Sequence, residues 1–176
     1  EPGDERPEGH VYHFLLPDYE MANYSTSGGP GELAEAEIKS LRSWRRDQKS
    51  GYDREDLETL QRLSDAIDGL WEKHTRQQRR IREQTTDPIK VWGQPGPDSM
   101  RPPTTTRWKD EKWHTEMHSE GVRLSSPYRR LKLVMDYWCA LWFWPINEHD
   151  EAPTRQEWLM DLQMILEGDL YETQKV

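Results

Sequence analysis

Leu60, Leu63, Ile67 and Leu70 recur at steps of three and four, and the same stripe runs on through His74 and Gln78 to Ile81. An α-helix brings such positions to one side, so the spacing predicts a long amphipathic helix. Asp53 is placed as its N-cap, and Glu55, Asp56 and Glu58 put carboxylates at the positive end of the helix dipole. Arg76, Arg79, Arg80 and Arg82 crowd the negative end, and Asp87-Pro88 should close the element. About thirty residues at 1.5 Å per residue would reach ~45 Å.

A shorter helix is predicted to begin near Glu32, after the Gly/Ser loop from Ser25 to Gly31. Ala34, Ile38, Leu41 and Arg45 share one of its faces, Leu33 and Trp44 flank it, and Gly51 punctuates its end. It is expected to pair antiparallel with the long helix. Val11-Tyr12-His13-Phe14-Leu15-Leu16, stopped by Pro17, reads as one short strand, and Ile89 to Trp92 as a second brief one. Gly93 to Thr106 is rich in Pro, Gly and Thr and reads as a linker, while Trp108 to Met117 is aromatic without a period. Ser126 as N-cap and Pro127 at the first helical position open another helix. From Leu131 to Trp144 it is apolar nearly all round, so it is expected to be the central, most buried helix, ended by Pro145. Thr154-Arg155-Gln156-Glu157 matches a capping box, and Trp158, Leu159, Leu162, Ile165 and Leu166 form the apolar face of a last helix stopped by Gly168.

The fold class this implies is mainly α: a helical bundle with a long helical hairpin and at most a small β element. Three regions are expected: 1–92 with the strand and hairpin, 93–125 as linker, and 126–176 as a C-terminal helix pair.

Composition changes the picture in two ways. Hydrophobic residues make up 33% and charged residues 32%, a balance that approaches disorder, but nine Trp supply a core from few large side chains. A formal net charge of −9 disfavours the whole surface as a nucleic-acid binder and leaves only a local cationic patch for that role. The single Cys139 excludes an internal disulfide framework and fits a reducing, cytoplasmic setting. The run from Leu131 to Ile146 is too short to span a bilayer, and the acidic N-terminus is unlike a signal peptide. A chain opening on Glu1 reads as an excised fragment or a processed product.

Candidate chemistry is sparse. His114 and His118 are four apart, but the metalloprotease pattern needs Glu directly after the first His, where Thr115 stands; a zinc site is rejected. His10, His13 and Asp18 read as a half-exposed strand and its end, and Cys139 as a buried, inert thiol. Gly28-Gly29-Pro30-Gly31 precedes a helix yet lacks the Lys-Ser/Thr of a phosphate-binding loop. Trp138, Trp142, Trp144 and Trp158 have core spacing. What stands out is Lys73, Arg76, Arg79, Arg80 and Arg82, whose spacing lets several cations touch successive phosphates. The bland alternative is favourable interaction with the helix C-terminus and pairing to Glu72 or Glu83.

Three stretches carry a family resemblance: His13-Phe14-Leu15-Leu16-Pro17-Asp18-Tyr19-Glu20-Met21-Ala22-Asn23-Tyr24, Leu63 to Trp71, and Leu131 to Pro145 followed by Glu157-Trp158-Leu159. Together they resemble segments of very large bacterial DNA methyltransferases of the type IIG and phage-defence kind. The resemblance implies a parent enzyme that methylates adenine N6 in DNA with S-adenosylmethionine. That chemistry needs a Gly-containing cofactor loop and an Asn/Asp-Pro-Pro-aromatic motif. Arg101-Pro102-Pro103-Thr104 has neither the amide or acid nor the aromatic, so no catalytic, cofactor or metal residue carries over. The expectation is a non-catalytic accessory segment that positions DNA, or a further defence-system subunit, beside the methyltransferase core. A protein-interaction module without nucleic-acid contact, favoured by the acidic balance and the Trp108–Trp113 stretch, is the alternative.

Overall fold

In a computed structural model, residues 6–49, 51–87, 92, 104–118 and 126–168 are described, the side chains of Pro30, Glu116, Met117 and His118 aside. The chain is a helical bundle: α1 (Pro30–Leu33), α2 (Glu35–Lys49), α3 (Arg54–Thr85), α4 (Thr106–Lys112), α5 (Pro127–Trp142) and α6 (Arg155–Leu166). Short 3-10 turns lie at His13–Leu15 and Ile146–Glu151, and α4 runs on into a π-helical turn, Trp113–His118. Among the described residues there is no strand, and no helix is long and apolar enough to cross a membrane.

Local chemistry fixes the helix starts. Asp53 and Asp56 form a reciprocal capping box on α3, and Thr154 and Glu157 form one on α6. Ser126 caps α5, accepting from the Arg129 N–H at 3.3 Å, with Pro127 following. Helix α3 then holds 32 residues, closing at Thr85 just ahead of Asp87-Pro88.

The core sits where α3 meets α5 and α6. Leu60, Leu63, Ile67 and Leu70 from α3 pack with Val134 and Leu141 from α5 and with Trp158, Leu159, Leu162 and Leu166 from α6. The helix pairing therefore differs from the expected hairpin. Helix α2 docks against the 3-10 turn Ile146–Glu151 instead of lying along α3. The Pro153 carbonyl accepts from Trp44 Nε1 at 2.7 Å and from Gln48 Nε2 at 2.8 Å, two polar anchors that a hydrophobic pattern does not reveal.

Val11 to Leu16 is a 3-10 turn flanked by extended residues, not a strand. Its carbonyls have other partners: Trp158 Nε1 donates to Leu15 O at 2.8 Å and Trp138 Nε1 to Leu16 O at 3.1 Å. With indoles and the Ser64 hydroxyl (3.3 Å from Tyr12 N) taking these groups, no ladder forms. The segment lies over α3 and the core, with Leu15 fully buried. The strand expected at Ile89–Trp92 falls, apart from Trp92, outside the described residues.

Helix α5 is not the most buried element. Only Val134 and Leu141 are buried along it, while Leu133 and Met135 are 40% and 37% exposed and Phe143, just past its end, is 81% exposed. Helix α6, with four fewer residues (12 against 16), buries Trp158, Leu159, Leu162 and Leu166. An all-round apolar sequence says that a helix can be covered on every side; the bundle covers α5 on one.

Candidate nucleic-acid interface

The core members contributed by α3 end at Leu70. Past that point Ile81 is the one buried residue of the helix and His74 still meets Tyr128 of α5 at 5.5 Å, while eight of the fifteen residues from Trp71 to Thr85 are exposed. Lys73, Arg76, Arg79, Arg80 and Arg82 all lie on this C-terminal half and are all exposed. At ~100° per residue, Lys73, Arg76 and Arg80 form one row within ~60°. Arg79 follows, and Arg82 lies a further ~60° round. From Lys73 to Arg82 the axial length is ~13.5 Å, enough to pass about four phosphates of one strand at 3.4 Å each.

One of the five is partly neutralised: Arg76 donates to Glu72 one turn back. Among the described residues no carboxylate pairs with Lys73, Arg79, Arg80 or Arg82. Glu72 and Glu83 lie on the same outer face, so the row is cationic but interrupted.

The end of α3 is tied to α4. Asp87 accepts from the Thr104 N–H at 3.1 Å, the Thr104 hydroxyl at 2.7 Å and Lys109 Nζ at 2.7 Å. Lys109 first, and then Thr104, hold the Asp87 carboxyl down at about 2. Helix α4 and the π-helical turn after it fall inside 93–125, the region expected as loop and linker, so that expectation does not hold for 106–118. The helix is capped by Thr105, whose hydroxyl accepts from the Trp108 N–H at 3.2 Å, and Thr105 was the available signal.

No family model, curated protein or solved structure matches this chain. The site therefore stands on its own geometry.

The other candidates resolve into structural roles. Gly28 has φ +82°, and a Cβ on Gly31 would fall 2.3 Å from the Ser25 carbonyl oxygen, so the glycines serve a tight turn. Glu32 already accepts from the Gly28 N–H at 3.3 Å, where a phosphate would have to compete. His10 and His13 are exposed; the His13 ring lies edge-on to Trp138 at 5.7 Å. Asp18 accepts from the Glu20 N–H at 2.8 Å within a turn. Trp158 is fully buried, and Trp138, Trp142 and Trp144 pack against the core, as their spacing predicts. Cys139 is exposed rather than buried, because it lies on the uncovered side of α5. His114 lies in the π-helical turn, and the side chain of His118 is outside the described residues. Among the described residues no group of three His, Cys, Asp or Glu is placed to hold a metal ion.

A cavity of about 260 Å³ opens between the starts of α3 and α6, lined by Asp53, Glu55, Asp56, Gln156 and Leu159 among others. Two of its three carboxylates are engaged: Asp53 and Asp56 cap α3, and Asp56 lies 3.4 Å from Arg155 Nε.

Proposed function

We propose that this chain is a non-catalytic helical accessory segment that holds DNA by its backbone, working in the cytoplasm beside a DNA methyltransferase core of the restriction or phage-defence type. One observation carries the DNA contact: four exposed cations without a carboxylate partner among the described residues, on the C-terminal half of a long helix, in a chain whose overall charge is negative. Cations released from ion pairing are the groups that displace condensed counterions from a phosphate backbone. The acidic remainder of the surface repels DNA elsewhere and so confines contact to this end. The methyltransferase context, with S-adenosylmethionine as the parent's cofactor, comes from the resemblance of the three sequence stretches.

The test is charge reversal at Arg76, Arg79, Arg80 and Arg82 in the chain, followed by binding to a duplex at several salt concentrations. The reading expects weaker binding and a flatter salt dependence; unchanged binding rejects it. The exposed apolar side of α5, with Leu133 and Phe143, supports the second reading, a protein-docking module. That reading expects the α5 surface, and not the α3 cations, to govern association with the parent enzyme.

A further inference from the structure

Two large aromatic side chains stand on α4, the helix tied to the end of α3 through Lys109 and Asp87. Trp108 and Trp113 are 37% and 53% exposed, and neither belongs to the core cluster. Trp108 lies in the first turn of α4 and Trp113 at its C-cap, and Arg107, Lys109 and Lys112 interleave with them. Lys112 Nζ lies 5.9 Å from the Trp108 ring centroid. Because Lys109 reaches Asp87 at the end of α3, the Lys109 side of α4 is the one turned toward α3. At ~100° per residue, Trp108 and Trp113 lie ~100° and ~40° from Lys109, one on each side of the seam. The stretch from Glu72 to Asp87 and the whole of α4 carry eight cations, against Glu72, Glu83, Asp87, Asp110 and Glu111, in a chain of net charge −9.

Cations alternating with exposed aromatic rings suit a strand whose bases are free. A duplex hides its base faces in its own stack, so a Trp ring beside it has only backbone to touch. A single strand offers a π-face at every nucleotide. We propose that the α3–α4 junction is a single-stranded DNA site, in which Lys73, Arg79, Arg80 and Arg82 hold the phosphates and Trp108 and Trp113 stack bases. The proposal rests on the reading of the α3 cations as a DNA contact and adds to it the form of the DNA.

The test uses the chain as it is, titrated against labelled oligothymidylate of about 20 nucleotides, a duplex of the same length and poly-glutamate, all at ~50 mM salt. The parent chain is expected to bind the single strand at least tenfold more tightly than the duplex. Trp108→Leu with Trp113→Leu should weaken single-strand binding by on the order of a hundredfold, roughly tenfold per ring, and leave duplex binding within about twofold. Trp108→Phe with Trp113→Phe should keep most of the single-strand affinity, since Phe also stacks; Trp113→Leu alone, expected to cost about tenfold, carries the decision if the double leucine variant loses its helical circular dichroism. Arg79→Glu, Arg80→Glu and Arg82→Glu together should weaken binding to both forms of DNA. Single-strand affinity unmoved by the leucine pair overturns base stacking while the arginine result upholds backbone contact. Failure of the parent chain to bind either form of DNA, or tighter binding to poly-glutamate than to the single strand, overturns both readings.

Discussion

Trp158 is the side chain on which the bundle most depends, and its removal has a magnitude that follows from its contacts. It is fully buried between α3, α5 and α6, its ring lies 4.7 Å from that of Tyr137, and its indole N–H donates to the Leu15 carbonyl at 2.8 Å. Trp158→Ala empties the largest side-chain volume in the core, and buried Trp-to-Ala changes cost about 3–5 kcal/mol. Trp158→Phe keeps most of the apolar contact and leaves the Leu15 carbonyl without its donor, a loss of about 1–3 kcal/mol. The two variants therefore separate packing from hydrogen bonding. Urea unfolding followed by circular dichroism should give the Ala variant about twice the destabilisation of the Phe variant. In a melt, at ~2–4 °C per kcal/mol for a chain of this size, the Ala variant should lose roughly 8–15 °C. A loss below about 1 kcal/mol for the Ala variant would refute the placement of Trp158 at the centre of the core.

Two further predictions concern protons. Asp87→Asn should loosen α4 from the end of α3, seen as faster amide exchange in 106–112 with exchange in α6 unchanged. Because the folded-state Asp87 carboxyl is depressed to about 2 from an ordinary 3.8, its contribution is present above pH ~4 and should fade as pH falls toward 2. Exchange in α4 that ignores both the substitution and the acid range would contradict the latch. Tyr12 is the converse case: burial first, then its hydrogen bond to Asp68, pushes the phenol up to about 12. A raised phenol stabilises fully below its unfolded value of 10 and loses that contribution as pH rises toward 12. Absorbance titration of the parent chain against Tyr12→Phe should show one phenol missing from the late-titrating group, and its absence from the ordinary group instead would refute the contact.

How much was legible in the sequence differs between elements for physical reasons. The helix starts at Asp53, Ser126 and Thr154 were readable because caps are local: the donor and acceptor lie three residues apart. The α3 stripe was readable because 3.6-residue periodicity is written along the chain. Val11–Leu16 was not, since its backbone partners, Trp138 and Trp158, come from more than 120 residues away (the Trp138 contact spans 122). The burial of α5 was overestimated because hydrophobicity says what a surface tolerates, not which neighbour arrives to cover it. Of the candidate site, the α3 cations were visible as a spacing. The contribution of α4 was hidden, because the Asp87 carboxylate that docks it joins residues 17 and 22 apart across the Pro/Gly-rich stretch.

The account turns on whether the end of α3 touches phosphates, and the salt dependence of binding reads this without any substitution. With four or five phosphate contacts, the logarithm of the association constant for duplex DNA should fall against the logarithm of salt concentration with a slope of about −4. Affinity should then drop on the order of a hundredfold between ~50 and ~200 mM salt. Measurable binding with a slope near zero, or no binding at the lowest salt, would contradict it.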